Sequence, residues 1–189
     1  MKKLICFGDS ITVGEGLSDE ALGLIPRLRQ VFGTWEIINA GAGGNNTRDA
    51  LARINEDVLR HNPDIVTVFF GANDAATHKM IDIMEFEGNL EAIISKTGAE
   101  KTILISPAPV DEGKPRNRTN EIMGKYTASA AKVAACSNCG LIDLFWEMIV
   151  RPDYKNMLSD GLHFSAGGYE FLSGLIIEKL KLGGKYGHK

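Results

Sequence analysis

The feature that most constrains this chain is a rhythm. Five short apolar runs recur along its 189 residues: Leu4–Phe7, Glu36–Asn39, Ile65–Phe70, Thr102–Ser106 and Leu141–Leu144. They are rich in Ile and Val, and several are apolar at consecutive positions. That is the pattern of strands covered on both faces. Stretches with helical period lie between them. Leu51, Ile54 and Val58 share one face, with Arg53, Glu56 and Asp57 off it. Met123, Tyr126, Ala130 and Val133 repeat the pattern, as do Leu172, Leu175, Ile176 and Leu180. Asn62-Pro63-Asp64 is expected to end the second of the helices and launch the third strand. Alternating strand and helix predicts an α/β fold, a parallel sheet of about five strands between helical layers. No internal repeat or linker-like composition interrupts it. The expectation is one domain over residues 1–182 and a frayed tail over 183–189.

A domain of this length buries roughly 70% of the surface its unfolded chain exposes, so it needs neither a metal nor a disulfide to hold it. The formal net charge of −3 lacks the basic excess of a nucleic-acid binder. No apolar stretch approaches the roughly 20 residues that span a bilayer, so no membrane insertion is expected. The apolar run after Lys2-Lys3 stops at Phe7, too short for a signal-peptide core, and the expected location is the cytoplasm. Oligomeric state is not legible. Of the three cysteines, Cys6 lies inside the first apolar run and reads as a small buried hydrophobe. Cys136-Ser137-Asn138-Cys139 is a CxxC. It follows the helical stretch Tyr126–Ala135 instead of opening one, where the dipole would stabilise a thiolate. It also has no second CxxC or histidine pair for zinc. A structural role is favoured.

In open parallel α/β sheets, sites form beyond the carboxyl ends of the strands. Ser10 follows the first strand, and Gly41-Ala42-Gly43-Gly44 the second. Gly71-Ala72-Asn73-Asp74 follows the third and Pro107-Ala108-Pro109-Val110 the fourth. Asp160 and His163 fall in the loop before the last helix. Five separated segments can therefore meet at one edge of the sheet.

Those segments carry the parts of a nucleophile relay. A serine hydroxyl needs a base within hydrogen-bond reach, and His163 can supply it. Asp160, three residues earlier, can accept the other imidazole N–H and fix the tautomer. An oxyanion needs donors. A loop glycine allows close approach of a backbone N–H, which suits Gly44. The Asn73 amide and the Ser10 backbone N–H are the other candidates.

Gly8-Asp9-Ser10, Gly44, Gly71-Ala72-Asn73-Asp74 and Asp160-x-x-His163, in that order, resemble the SGNH, or GDSL, hydrolase superfamily. Its four marker residues map onto Ser10, Gly44, Asn73 and His163, and the likeness runs from about Leu4 to Leu180. Within the superfamily, residues 68–75, 105–112 and 158–165 are most similar to isoamyl-acetate-hydrolysing esterases. The resemblance implies a flavodoxin-like three-layer α/β/α sandwich and a GDSL-type hydrolase of simple esters, with no metal or other cofactor. Two departures stand out: Ile11 replaces the usual Leu, and Gly44 is followed by Asn45-Asn46-Thr47 where many relatives have an acidic residue and a threonine.

Each assignment has a plainer competitor. Ser10 alone reads as a turn or cap residue. Asp9 is expected to support its turn through nearby backbone N–H groups. Asp74 is read as a turn residue feeding the next helix. His61 is expected to be structural at a helix end, His78 exposed, and His188 in the tail. Asp111 and Glu112 are read as a solvated loop, and Lys114, Arg116 and Arg118 as a solvated basic face. Ile11, Val110, Met157 and Leu158 are candidate pocket-lining residues.

The function expected is a serine esterase of short-chain, foremost acetyl, esters, working through an acyl-enzyme on Ser10 with His163 as base and Asp160 as its orienter. Its partner is a small-molecule ester. A carbohydrate O-deacetylase or a lysophospholipase-type activity on the same site stays open. A metal-dependent phosphoesterase is a distant alternative, for which only His163 lies in a plausible site loop. A flavin or phosphate binder, with Ser10, Thr12, Gly14 and Gly16 cradling the anion, leaves Asp160 and His163 unexplained.

Overall fold

The computed structural model describes residues 1–114 and 117–182. Arg116, His188 and the expected tail lie outside the described residues. Five strands form one sheet: β1 (Lys3–Gly8), β2 (Glu36–Gly41), β3 (Ile65–Phe69), β4 (Thr102–Ile105) and β5 (Gly140–Ile142). All neighbours are parallel, in the order β2-β1-β3-β4-β5. This is the flavodoxin-like order, whose chain direction across the sheet reverses between β1 and β3.

Side-chain alternation along the strands sorts the core into two layers. Ile5 and Phe7 of β1, Val66 and Val68 of β3 and Leu104 of β4 face one layer. Leu4 and Cys6, Ile65 and Phe69, and Ile103 and Ile105 face the other. The first layer is closed by helices α3 (Thr47–Asp57), α4 (Ile83–Thr97) and α5 (Asn120–Ser137). The second is closed by α1 (Ser10–Val13), α2 (Leu24–Val31) and α7 (Ala166–Leu182). α6 (Leu144–Ile149) sits at the seam, sending Leu144 and Met148 to the second layer and Phe145 to the first. The three-layer sandwich expected from the alternation is present. Among the described residues, no helix is long and apolar enough to cross a membrane.

The boundaries depart from expectation where side chains intervene. β5 stops at Ile142, because Asp143 accepts the Ser106 hydroxyl at 3.1 Å and Leu144 begins α6. α3 ends at Asp57, and a 3-10 turn over Leu59–His61 carries the chain to Asn62 in the left-handed region. Asp64 then accepts the Lys3 backbone N–H at 2.7 Å, fixing the start of β3 beside β1. α5 runs on through Ser137, so Cys136 lies inside it and Cys139 just past its cap. Cys6 is buried, which pushes its thiol up to about 12, as befits an inert core residue.

Candidate active site

Ser10 is the first residue of α1, directly after β1. Asp9 caps that helix, accepting the Ile11 N–H at 3.0 Å, as expected for this aspartate. Ser10 is thereby released from the capping role. His163 Nε2 lies 3.0 Å from Ser10 Oγ, across 153 positions of chain. His163 Nδ1 lies 2.8 Å from Asp160 Oδ2. The other carboxylate oxygen accepts the Leu162 N–H at 3.0 Å and the His163 N–H at 2.9 Å. Burial alone would raise the Asp160 carboxyl. The His163 ring, with the two backbone donors, overcomes that and holds it at about 2. Asp160 is therefore an acceptor, Nδ1 carries the proton, and the Nε2 lone pair faces the serine hydroxyl. This arrangement can draw a proton from Ser10 to Nε2 and hold the resulting cation.

The glycine loop and the Asn73 loop meet beside this relay. Asn73 Nδ2 donates to the Asn45 carbonyl at 2.9 Å and lies 3.4 Å from Asp9 Oδ2. Gly44 precedes Asn45 and holds φ +73, a left-handed turn; an added Cβ would come no closer than 4.0 Å to Lys79 Nζ. Its need for glycine is thus conformational and not one of space. The Gly44 carbonyl accepts Lys79 Nζ at 2.9 Å. The departing block Asn45-Asn46-Thr47 also finds its partners. Asn46 caps α3 with Asp49 in a reciprocal capping box. Thr47 gives its N–H, at 3.0 Å, and its hydroxyl to Asp74 Oδ1.

Two arginines brace these loops, and the sequence reading placed neither. Arg118 was expected on a solvated face. Instead its guanidinium donates to the Ala72 carbonyl and, at 3.0 Å, to Asn73 Oδ1. A guanidinium only donates, so this contact sets the amide with its N–H groups toward Asp9 and Asn45. Arg53, expected off the buried face of its helix, donates to the carbonyls of Gly8 and Ala40 and to Asn45 Oδ1 at 2.7–2.8 Å. Its cation sits 4.6 Å from the Phe7 ring centroid. It clamps the carboxyl ends of β1 and β2 to the glycine loop. The available signal was an arginine set between Leu51 and Ile54 of the apolar stripe of α3.

Other expectations need correction. Asp74 does not feed a helix; Asp82 caps α4, and Asp74 is a buried cross-link to Thr47 whose Oδ2 has no hydrogen-bond partner among the described residues. Burial pushes up the carboxyls of both Asp9 and Asp74, Asp9 to about 7 with the nearby Asp74 adding to it. Ile11, Val110 and Leu158 belong to the core, and Met157 packs against it. Asp111 pairs with Lys155 at 3.1 Å and its N–H donates to the Gly161 carbonyl, tying the loop after β4 to the His163 loop. Gly16 does not cradle an anion; it packs against His163. His78 is exposed as expected. Among the described residues no three His, Cys, Asp or Glu side chains cluster as metal ligands, so the two-metal reading finds no ligand set there.

Known proteins resemble this chain in sequence and in fold. The model of the GDSL-like lipase/acylhydrolase family matches residues 6–171. The chain is 32% identical to the human isoamyl acetate-hydrolyzing esterase 1 homolog, over 90% of its own length and 77% of that protein. A lipase/acylhydrolase structure from Enterococcus faecalis superposes with TM-score 0.89 at 38% identity, covering 96% of each chain. An acetyl xylan esterase structure superposes with TM-score 0.80 at 27% identity, covering 94% of this chain and 99% of the other. The chain belongs to the GDSL-like lipase/acylhydrolase family and is a carboxylic ester hydrolase.

Proposed function

We propose that this protein is a serine esterase of short-chain carboxylic esters, acetyl esters foremost, working through an acyl-enzyme. The observation that carries this is the continuous path from Ser10 Oγ through His163 to Asp160, at 3.0 and 2.8 Å. Ser10 attacks the ester carbonyl while Nε2 takes its proton. Asp160 holds the imidazole in the needed tautomer and steadies the imidazolium. The oxyanion is met by the Ser10 and Gly44 backbone N–H groups and by the Asn73 N–H that is held only loosely, 3.4 Å from Asp9 Oδ2, the other N–H staying on the Asn45 carbonyl and Arg118 orienting the amide in advance. Nε2 returns the proton to the departing alcohol, then activates water to release the acid.

The acetyl preference draws on the human isoamyl acetate-hydrolyzing homolog and on the acetyl xylan esterase structure. The second of these also favours O-deacetylation of carbohydrate by the same site as an alternative reading. Turnover of p-nitrophenyl acetate, butyrate and octanoate, with mass spectrometry after an organophosphonate, tests class and chain length together. We expect one phosphonyl adduct, on Ser10, and a loss of at least about 10⁴-fold in Ser10→Ala. Undiminished turnover by purified Ser10→Ala would refute the assignment.

A further inference from the structure

Glu15 carries a charged side chain beside the relay that the mechanism above leaves idle. Its backbone is fixed at both ends: its N–H donates to the Ser10 carbonyl at 3.0 Å, and its carbonyl accepts the Tyr169 hydroxyl at 3.3 Å. Its carboxylate lies along the wall between two site loops. An added Cβ on Gly43 would stand 2.3 Å from Oε1, so that oxygen is laid over the glycine loop. The other oxygen, Oε2, is 3.7 Å from His163 Nε2, with 47% of the Glu15 side chain open to solvent. Among the described residues no Lys or Arg pairs with it. Among the described residues, the other charged groups on this side are Asp160 on the same loop as His163, Lys114, whose Nζ reaches the Ser159 carbonyl at 3.3 Å, and the buried Asp9 beside Ser10, which also feels Arg118.

Position relative to the reaction gives this carboxylate a role. On the serine-esterase reading, the alcohol oxygen leaves by taking a proton from Nε2, so it comes within hydrogen-bond distance of that nitrogen. Glu15 Oε2 is already 3.7 Å from the same atom. The two oxygens are thus no more than about 7 Å apart at the moment of bond cleavage. We propose that Glu15 selects the alcohol half of the ester. It favours alcohols bearing a positive charge or hydroxyl donors next to the scissile oxygen, and it disfavours anionic ones. At such distances, in a half-solvated setting, one unit charge changes the rate by about threefold to fivefold, so a cation and an anion differ by on the order of tenfold. The effect is one of discrimination between partners and does not require tighter binding overall.

The test compares kcat/KM for three acetate esters of similar size: acetylcholine, 3,3-dimethylbutyl acetate and 2-acetoxyethanesulfonate. Wild type is expected to rank them cation, neutral, anion, with the spread shrinking in 0.5 M NaCl. Glu15→Gln should collapse the cation-to-anion ratio by on the order of tenfold, and Glu15→Lys should reverse the order. A wild-type enzyme that ranks anion equal to cation overturns the inference. So does a ratio that Glu15→Gln leaves unmoved, or a wild-type order retained by Glu15→Lys. If Ser10→Ala abolishes turnover while the Glu15 ratio stays put, only this inference falls. If Ser10→Ala stays active, the serine reading falls with it.

Discussion

Gly16 and Gly14 form a matched pair for asking how closely His163 must be held. Both have positive φ, +94 and +108, so alanine at either costs about 1–2 kcal/mol in backbone strain. They differ in what the new methyl meets. At position 14 nothing lies within 4 Å. At position 16 it would fall 2.6 Å from His163 Cβ and 2.7 Å from Ser159 Oγ. Ordinary contact begins at 3.4 Å, so the two loops must part by about 0.8 Å. Applied to the 3.0 Å link between His163 Nε2 and Ser10 Oγ, that opening takes it to about 3.8 Å, beyond hydrogen-bond reach. A misplacement of this size costs on the order of 10²-fold in rate. We therefore expect Gly16→Ala to lose about 10²-fold in kcat on p-nitrophenyl acetate, while Gly14→Ala loses stability and little rate. Steady-state kinetics paired with urea denaturation separates the two costs. Equal kcat in the two variants would show that the methyl is absorbed elsewhere, and the argument from close approach would fail.

Arg118→Met removes the donor that orients Asn73, so kcat should drop by about tenfold to 10²-fold, short of losing an oxyanion donor outright, with Arg118→Lys recovering part; wild-type kcat in Arg118→Met contradicts this. Arg53→Met removes one donor each from the Gly8 carbonyl, which keeps the Ala42 N–H, from the Ala40 carbonyl and from Asn45 Oδ1, and urea midpoints should report a loss of about 1–3 kcal/mol, a loss under about 0.5 counting against the clamp. Asp9 gives a pH signature. Its folded carboxyl stands at about 7, above the unfolded value of roughly 3.9, so its contribution is complete at low pH and declines as pH rises from about 4 to 7, by up to about 4 kcal/mol. Asp9→Asn should flatten the stability profile over that window, and parallel profiles would dismiss the effect. Asp160, held at about 2, acts with the opposite sign, its stabilisation vanishing as pH falls from about 4 toward 2.

What the sequence revealed follows from how local each signal was. Strands buried on both faces announce themselves by composition, and all five lay where their apolar runs did. Ser10, His163 and Asp160 were legible because their types and chain order admit few other uses. α2, α4 and α6 went unread. Pro26 interrupts the pattern of α2, α6 has six residues, and α4 carries Met84 and Gly88 among its apolar positions Phe86, Leu90, Ile93 and Ile94. The bracing groups were harder for a different reason. Arg53 and Arg118 are recognised only by the carbonyls they reach, and a carbonyl leaves no mark in a sequence. Asp74 looked like a turn residue because its partner, Thr47, stands 27 positions away. Gly16 reads in the sequence only as part of an anion cradle, and its place against the histidine loop shows in space alone.

Asp160 and His163 come as a pre-wired cartridge. One carboxylate grips two amides and an imidazole within four consecutive residues, so the pairing is settled by short-range chain geometry. Registration with Ser10 is then made at the joint between the two ends of the polypeptide, where the Tyr169 hydroxyl also donates to the Ile11 and Glu15 carbonyls. Insertions and replacements in the intervening crossovers can remould the substrate cleft freely, provided that one joint still closes.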